Sequence, residues 1–179
     1  MPCLRTIVLK MDMHKLLLYI TAPRLATVTL VGVFLCEGDP TESLLDLLWR
    51  SQAPNRSFEL QDPMNGSADM LLGCLERMEG LRRMKLENAS SKAKKLTRML
   101  HVLDRLACSE DRLPVLPELK PLCLHMRGKK LMKTAPSELI ELVIRLRRSR
   151  AQPRTCAGRA VAVMEDFEAN MQDLANMSF

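Results

Sequence analysis

Four stretches of this chain carry leucine and methionine at three- and four-residue spacing, each opened by a helix-starting residue and closed by a break. Asp39-Pro40-Thr41-Glu42 precedes Leu44, Leu45, Leu47, Leu48 and Trp49, and Asp69 precedes Met70, Leu71, Leu72, Leu75, Met78 and Leu81. Ser90 and Ser91 precede Leu96, Met99, Leu100, Leu103 and Leu106, and Pro136-Ser137-Glu138 precedes Leu139, Leu142 and Leu146. A small polar residue at a helix start accepts hydrogen bonds from orphan amides, and Pro in the first turn removes one of them. Apolar residues at that spacing then line one face of the helix. Aromatic residues make up only 3% of the chain while Met reaches 13, a mix that suits helix packing better than β-sandwiches. The polar stretch from Ser51 to Ser67, with Pro54, Pro63, Asn65 and Gly66, reads as the longest loop.

Sliding the last third of the chain against itself by 43 residues superposes Leu96, Met99 and Leu103 on Leu139, Leu142 and Leu146, and Leu119, Leu124 and Leu131 on Ala162, Phe167 and Leu174. Two helical hairpins, Lys94 to Met132 and Pro136 to Met177, would be related by that period. Stacked hairpins of this size form an α-solenoid. The expected fold class is therefore all-α, a short α-solenoid with an irregular N-terminal segment over residues 1–38 and a helical-repeat domain over 39–179. Within the N-terminal segment the apolar run Leu25 to Cys36 is too short to span a bilayer, so no transmembrane span is expected. Its length also suits a secretory h-region, and the basic start a mitochondrial presequence, but the segment reads as retained and buried against a neighbour. Val28, Leu30, Val31, Val33, Phe34 and Leu35 suit either a short strand or a core helix.

The net charge is +6, yet residues 81–159 hold 20 Lys or Arg against 7 Asp or Glu, and the remainder is acidic. A basic block of this size attracts polyanions. Its cations fall into three groups: Arg82, Arg83 and Lys85; Lys92, Lys94, Lys95 and Arg98; and Arg127, Lys129, Lys130 and Lys133 with Arg145, Arg147, Arg148, Arg150 and Arg154. With aromatics scarce there, stacking on bases is unavailable, and these residues would bind RNA through phosphate.

The six cysteines are widely spaced with no CxxC pair, so free thiols are expected and no metal ligands are assigned. Cys123 and His125 form a CxH pair, but two residues apart on a helix they point to different faces. His14, His101 and His125 are isolated in sequence, and Glu165, Asp166 and Glu168 read as a solvated helix face. No P-loop, dinucleotide turn, GxSxG or HExxH is present, so neither an enzyme nor a cofactor is expected.

The segment "LMKTAPSELIELVIRLRRSR", followed by a second helix and "LANMSF", resembles the units of organellar helical-repeat RNA-binding proteins. These are related to the Fas-activated serine/threonine kinase-like and RAP-domain proteins of apicomplexan-type mitochondria. The similarity covers residues 91–179, carried by Pro136-Ser137-Glu138-Leu139, Leu142 and Leu146 in the first helix and Met177-Ser178 at the next unit's start. It departs from the pattern in stopping at Phe179 and in lacking a terminal RAP domain. The resemblance implies location in the mitochondrial matrix and contact with RNA, often ribosomal RNA. The expected function is a non-enzymatic rRNA-contacting component of a mitochondrial ribosome, flanked by neighbouring proteins of a large assembly and with no small-molecule substrate. The alternative is a helical protein-interaction or assembly subunit of an organellar membrane complex, and a secreted helical-bundle ligand is a third and weaker reading.

Overall fold

The computed structural model describes residues 3–32, 39–61, 67–88, 93–109, 112–126 and 136–170; of these, Met11, Asp12, Asn88 and 93–95 are described by backbone alone. Four helices lie where capping and spacing place them: α1 (Pro40–Ser51), α2 (Ala68–Arg77), α3 (Ala93–Leu106) and α4 (Ser137–Ser149). Asp39 caps α1 by accepting from the Thr41 amide at 2.9 Å, and its second oxygen accepts from the Ser67 amide at 3.3 Å, tying together the starts of α1 and α2. The Cys74 thiol of α2 donates to the Thr41 carbonyl at 3.2 Å.

Between the helices the chain is not helical. It forms strands β1 (Thr6–Lys10), β2 (Thr27–Val31), β3 (Ser57–Gln61), β4 (Arg83–Asn88), β5 (Pro121–Met126) and β8 (Asp166–Ala169). These pair in parallel in the order β1-β2-β3-β4-β5-β8, while β6 (Arg154–Cys156) and β7 (Arg159–Val161) make a separate antiparallel hairpin. A 3-10 helix, Met11–Tyr19, links β1 to β2. The fold is thus α/β, and the expected all-α solenoid of helical hairpins is corrected. The segments read as second helices of each hairpin, around Leu119–Leu124 and Ala162–Phe167, contain β5 and β8 instead. The supposed loop Ser51–Ser67 contains β3, and residues 1–38, expected to be irregular, supply β1 and β2 to the same sheet. Repetition is a property of the strand–helix unit. Each strand carries its core residues at an L-x-x-L-x-L spacing: Leu4/Ile7/Leu9, Leu25/Val28/Leu30, Asn55/Phe58/Leu60, Leu81/Met84/Leu86, Leu119/Leu122/Leu124 and Met164/Phe167/Ala169. That spacing is the signature of a solenoid of strand–helix units.

Two facts fix the layering. Successive parallel strands lie side by side with no reversal of order, and crossovers of one hand then place every connecting helix on the same face. The inward strand residues and the apolar faces of α1–α4 accordingly form one core, in which Val28, Phe58, Leu60, Met84, Leu124, Leu139 and Leu146 are all fully buried. Just before the strands a second set of hydrogen bonds repeats: the amides of Thr27, Ser57, Arg83 and Lys120 donate to the carbonyls of Arg5, Ala26, Arg56 and Arg82 at 3.0 Å. Arg150, at the end of α4, is fully buried, and its Nη2 donates to the carbonyls of Pro117 (3.0 Å), Leu119 (2.9 Å) and Ala162 (3.3 Å). It therefore fastens α4 to the chain entering β5 and to the strand β7 side. Burial of the guanidinium pulls its pKa below the usual arginine value.

Candidate functional site on the open face of the sheet

Because the helices occupy one face, the other face of the sheet is bare among the described residues, and the side chains on it are set by strand register. One row across the sheet runs Val8, Thr29, Glu59, Lys85, Cys123 and Glu168, each residue paired with the next in adjacent strands. A second runs Gln61, Glu87 and His125. Sheets covered on both faces by helices have apolar residues on both sides of their strands. Here the inward positions are apolar and the outward ones mostly polar, so one face is built to be wet.

The polar side chains on this face hold one another. Lys85 Nζ lies 2.8 Å from Glu59 Oε1 and 3.9 Å from Glu87 Oε2, and Gln61 Nε2 donates to Glu59 Oε1 at 2.9 Å. Burial alone would raise the Glu59 carboxyl, but the hydrogen bonds from Lys85 and Gln61 and the Lys85 charge hold it below its usual range. The same contact with Glu59 raises Lys85.

Next to this network Cys123 and His125 of β5 meet Glu168 of β8. The Cys123 Sγ to His125 Nε2 distance is 3.3 Å, and His125 Nε2 to Glu168 Oε1 is 3.2 Å. Helix geometry would have separated Cys123 from His125, and the sequence reading on that basis is corrected. In a strand, residues two apart share a face, and the β5–β8 register sets Glu168 directly across from Cys123. Glu168 therefore stands on a strand of the open face and not on a solvated helix. His125 is likewise not isolated. The Asn170 side chain holds β8 at this point, its Nδ2 donating to the Met126 carbonyl at 2.9 Å and its Oδ1 accepting from the Met126 amide at 2.7 Å. Partial burial, reinforced by the Glu168 carboxylate, pushes the Cys123 thiol up to about 11. Hydrogen bonds from His125 and Cys123 hold Glu168 below its usual range. The three residues border a depression of about 720 Å³ that also touches Arg83, Lys85 and Asp166.

The described residues include only part of the set of cations expected to bind RNA. Lys92, Arg127, Lys129, Lys130 and Lys133 lie outside the described residues, and Lys94 and Lys95 are described by backbone alone. Arg83 and Lys85 sit on β4, and Arg82, just before it, pairs with Glu118 at 3.4 Å. Arg98 is on α3, in the layer behind the sheet. Arg145 pairs with Asp104, Arg147 lies 5.6 Å from the Phe167 ring centre, and Arg150 is a buried structural residue that no phosphate reaches. Arg145, Arg148 and Arg154 do gather, with Glu141, Ile144 and Ser149, around a depression of about 630 Å³ on the helix side. Sequence reasoning passed over Arg5, Arg56 and Lys120, which with Arg82 occupy the position just ahead of β1, β3, β5 and β4, while Ala26 holds it ahead of β2. Their shared offset from the L-x-x-L-x-L core residues was the signal. Of the cysteines in the described residues, Cys3, Cys74, Cys108, Cys123 and Cys156 are free thiols. No helix among the described residues is long and apolar enough to cross a membrane. No family model, no curated protein and no solved structure matches the chain, so its architecture and side-chain geometry carry the functional reading.

Proposed function

We propose that this chain is a non-enzymatic binding module, a strand–helix solenoid that holds a partner protein across the open face of its sheet. The observation that carries the reading is the six-stranded parallel sheet with helices on one side and register rows of mostly polar side chains on the other. Solenoids use such faces for extended binding surfaces. The charges there nearly balance, with Lys10, Arg83 and Lys85 against Glu59, Glu87, Asp166 and Glu168. Mixed charge of this kind complements the polar surface of another protein and gives a polyanion no preference. Strand order without a reversal also lacks the crevice at which open α/β sheets bind small substrates.

A second reading, contact with RNA phosphate, rests on Arg5, Arg56, Arg82 and Lys120 in equivalent positions ahead of β1, β3, β4 and β5. Two of these are engaged by acids, Arg82 with Glu118 and Lys120 with Glu165, which weakens it. The resemblance that suggested a mitochondrial ribosome rested on helical hairpins, and the segments read as their second helices contain β5 and β8.

The test places a photo-crosslinking amino acid at Thr29 or Gln61 on the open face, at Arg56 in the cation column, or at Glu141 on α4, in the full chain expressed in cells. The expected result is a discrete protein adduct from Thr29 and Gln61 that resists ribonuclease and is absent from Glu141. Adducts confined to Arg56 and lost on ribonuclease treatment would replace the first reading with the second.

A further inference from the structure

We propose that Cys123, His125 and Glu168 form a binding site for a divalent transition-metal ion of the zinc class at the β5–β8 edge of the open face. The three offer one sulfur, one nitrogen and one oxygen, all within 4.8 Å of one another. Bond lengths to zinc of about 2.3 Å for sulfur, 2.0–2.1 Å for nitrogen and 2.0–2.2 Å for oxygen put tetrahedral N and O ligands about 3.3 Å apart, and N and S about 3.5 Å apart. The observed separations are 3.2 Å for Nε2 to Oε1 and 3.3 Å for Nε2 to Sγ. Both separations made by Nε2 therefore match a shared tetrahedral ion to within a few tenths of an ångström, and the thiol and carboxylate lie within 4.8 Å of each other.

The arrangement also excludes the other chemistry that these residue types serve. In a cysteine nucleophile assembly the imidazole takes the thiol proton on one nitrogen while the carboxylate orients it through the other. Both contacts here fall on Nε2, so the groups converge on a point and form no proton relay. A thiolate beside an imidazole selects zinc, cobalt or copper over magnesium or calcium, which prefer oxygen alone.

The surroundings suit a cation. The titratable groups nearest the cluster are Glu59 and Glu87, with Lys85 between them and held by both. The depression bordered by the cluster also touches Arg83 and Asp166, so with Glu168 four carboxylates face two cations, and that negative excess suits a cation. The ligands stand on adjacent strands whose register is locked by the two Asn170–Met126 hydrogen bonds, so the site is set before an ion arrives. Binding expels the thiol proton to solvent: Cys–SH and M²⁺ give a Cys–S–M bond and H⁺.

The experiment uses the full chain, freed of metal with a chelator and titrated with Co²⁺ and then Zn²⁺. The expected result is one Co²⁺ per chain, a thiolate-to-cobalt charge-transfer absorption, and displacement of that absorption by Zn²⁺. Cys123→Ser removes the absorption. His125→Ala and Glu168→Gln each weaken binding about 100-fold. Cys108→Ser, at the thiol that hydrogen-bonds Cys156, leaves it unchanged. Glu168 is exposed, so Glu168→Gln retains the fold, which circular dichroism verifies for every variant. Absence of stoichiometric Co²⁺ binding, wild-type affinity in Glu168→Gln, or an absorption that survives Cys123→Ser overturns the proposal. An absorption lost instead in Cys108→Ser also overturns it, by placing the metal at the Cys108 and Cys156 thiols.

Discussion

Whether β5 is a strand can be decided by alanine substitution at three consecutive residues, Leu122, Cys123 and Leu124. Leu122 is 1% exposed and Leu124 is fully buried, both pointing into the core beneath the helices, while Cys123 stands half-exposed on the open face. Deleting a buried leucine side chain to Ala costs about 2–5 kcal/mol, from lost transfer free energy and the cavity left behind. Pairing on both sides, with β4 and β8, leaves little room for collapse around either site. Leu122→Ala and Leu124→Ala should therefore each lower Tm by about 4–20 °C, at about 2–4 °C per kcal/mol for a chain of this size. With a urea slope of about 2 kcal/mol per molar, the midpoint falls by about 1–2.5 M. Cys123→Ala should cost less than about 1 kcal/mol, measured in chelator so that no bound ion contributes. On a helix, Leu122 and Leu124 would lie about 200° apart, and only one of them would face the core. Urea denaturation followed by circular dichroism distinguishes the two cases. A cheap Leu122→Ala beside a costly Leu124→Ala, or a Cys123→Ala as costly as either, would refute the strand geometry and the open face with it.

Three further outcomes follow from particular contacts. Arg150→Ala should destabilise by about 3–5 kcal/mol because buried carbonyls of Pro117, Leu119 and Ala162 lose a charged donor, whereas Arg148→Ala should stay within about 0.5 kcal/mol; equal urea midpoints for the two would deny Arg150 its structural role. Asp39→Ala should cost about 1–2 kcal/mol through lost capping of α1 and the bond to Ser67, with Asp39→Ser recovering part of it, and identical thermal midpoints for the Ala and Ser variants would contradict that account. Glu59 is held below the usual carboxylate range when folded, so its pairing stabilises at neutral pH and that stability is lost as pH falls through the lowered folded value. With both side chains about a third exposed the contribution is below about 1 kcal/mol, and Glu59→Gln should flatten the acid limb of a stability–pH curve; an unchanged limb would show the pair to be inert.

The helices were legible because their signals are local. Asp39-Pro40 begins α1, α2 starts one residue ahead of the expected Asp69 under a Ser67 cap that the sequence reading left in the loop, and Leu139, Leu142 and Leu146 of α4 lie within two turns of one another. The strands were not, because each contributes only two or three inward residues, such as Phe58 and Leu60 of β3, too few to establish a period of two. A fixed shift of the sequence also fails on units of unequal length. The 43-residue shift matched Leu124 with Phe167, whereas the register pairs Leu122 with Phe167. The metal-ligand cluster was hidden by the same error, since Cys123 and His125 share a face only in a strand and Glu168 is 43 residues beyond His125. The basic block was plain in composition, but nothing local separates Arg150, sealed under α4, from Arg148 two residues earlier, which is exposed.

The sequence by itself determined the four helices, the Asp39 cap of α1, their apolar faces and the uneven charge, which are legible from residues close together in the chain. Tertiary structure decided which segments became strands, which strands became neighbours and which side chains met on the open face. A strand in a parallel sheet makes its hydrogen bonds with other segments, here arriving after helical crossovers, so its partners and register are properties of the assembled fold. The meeting of Cys123, His125 and Glu168 exists only once β8 has docked beside β5.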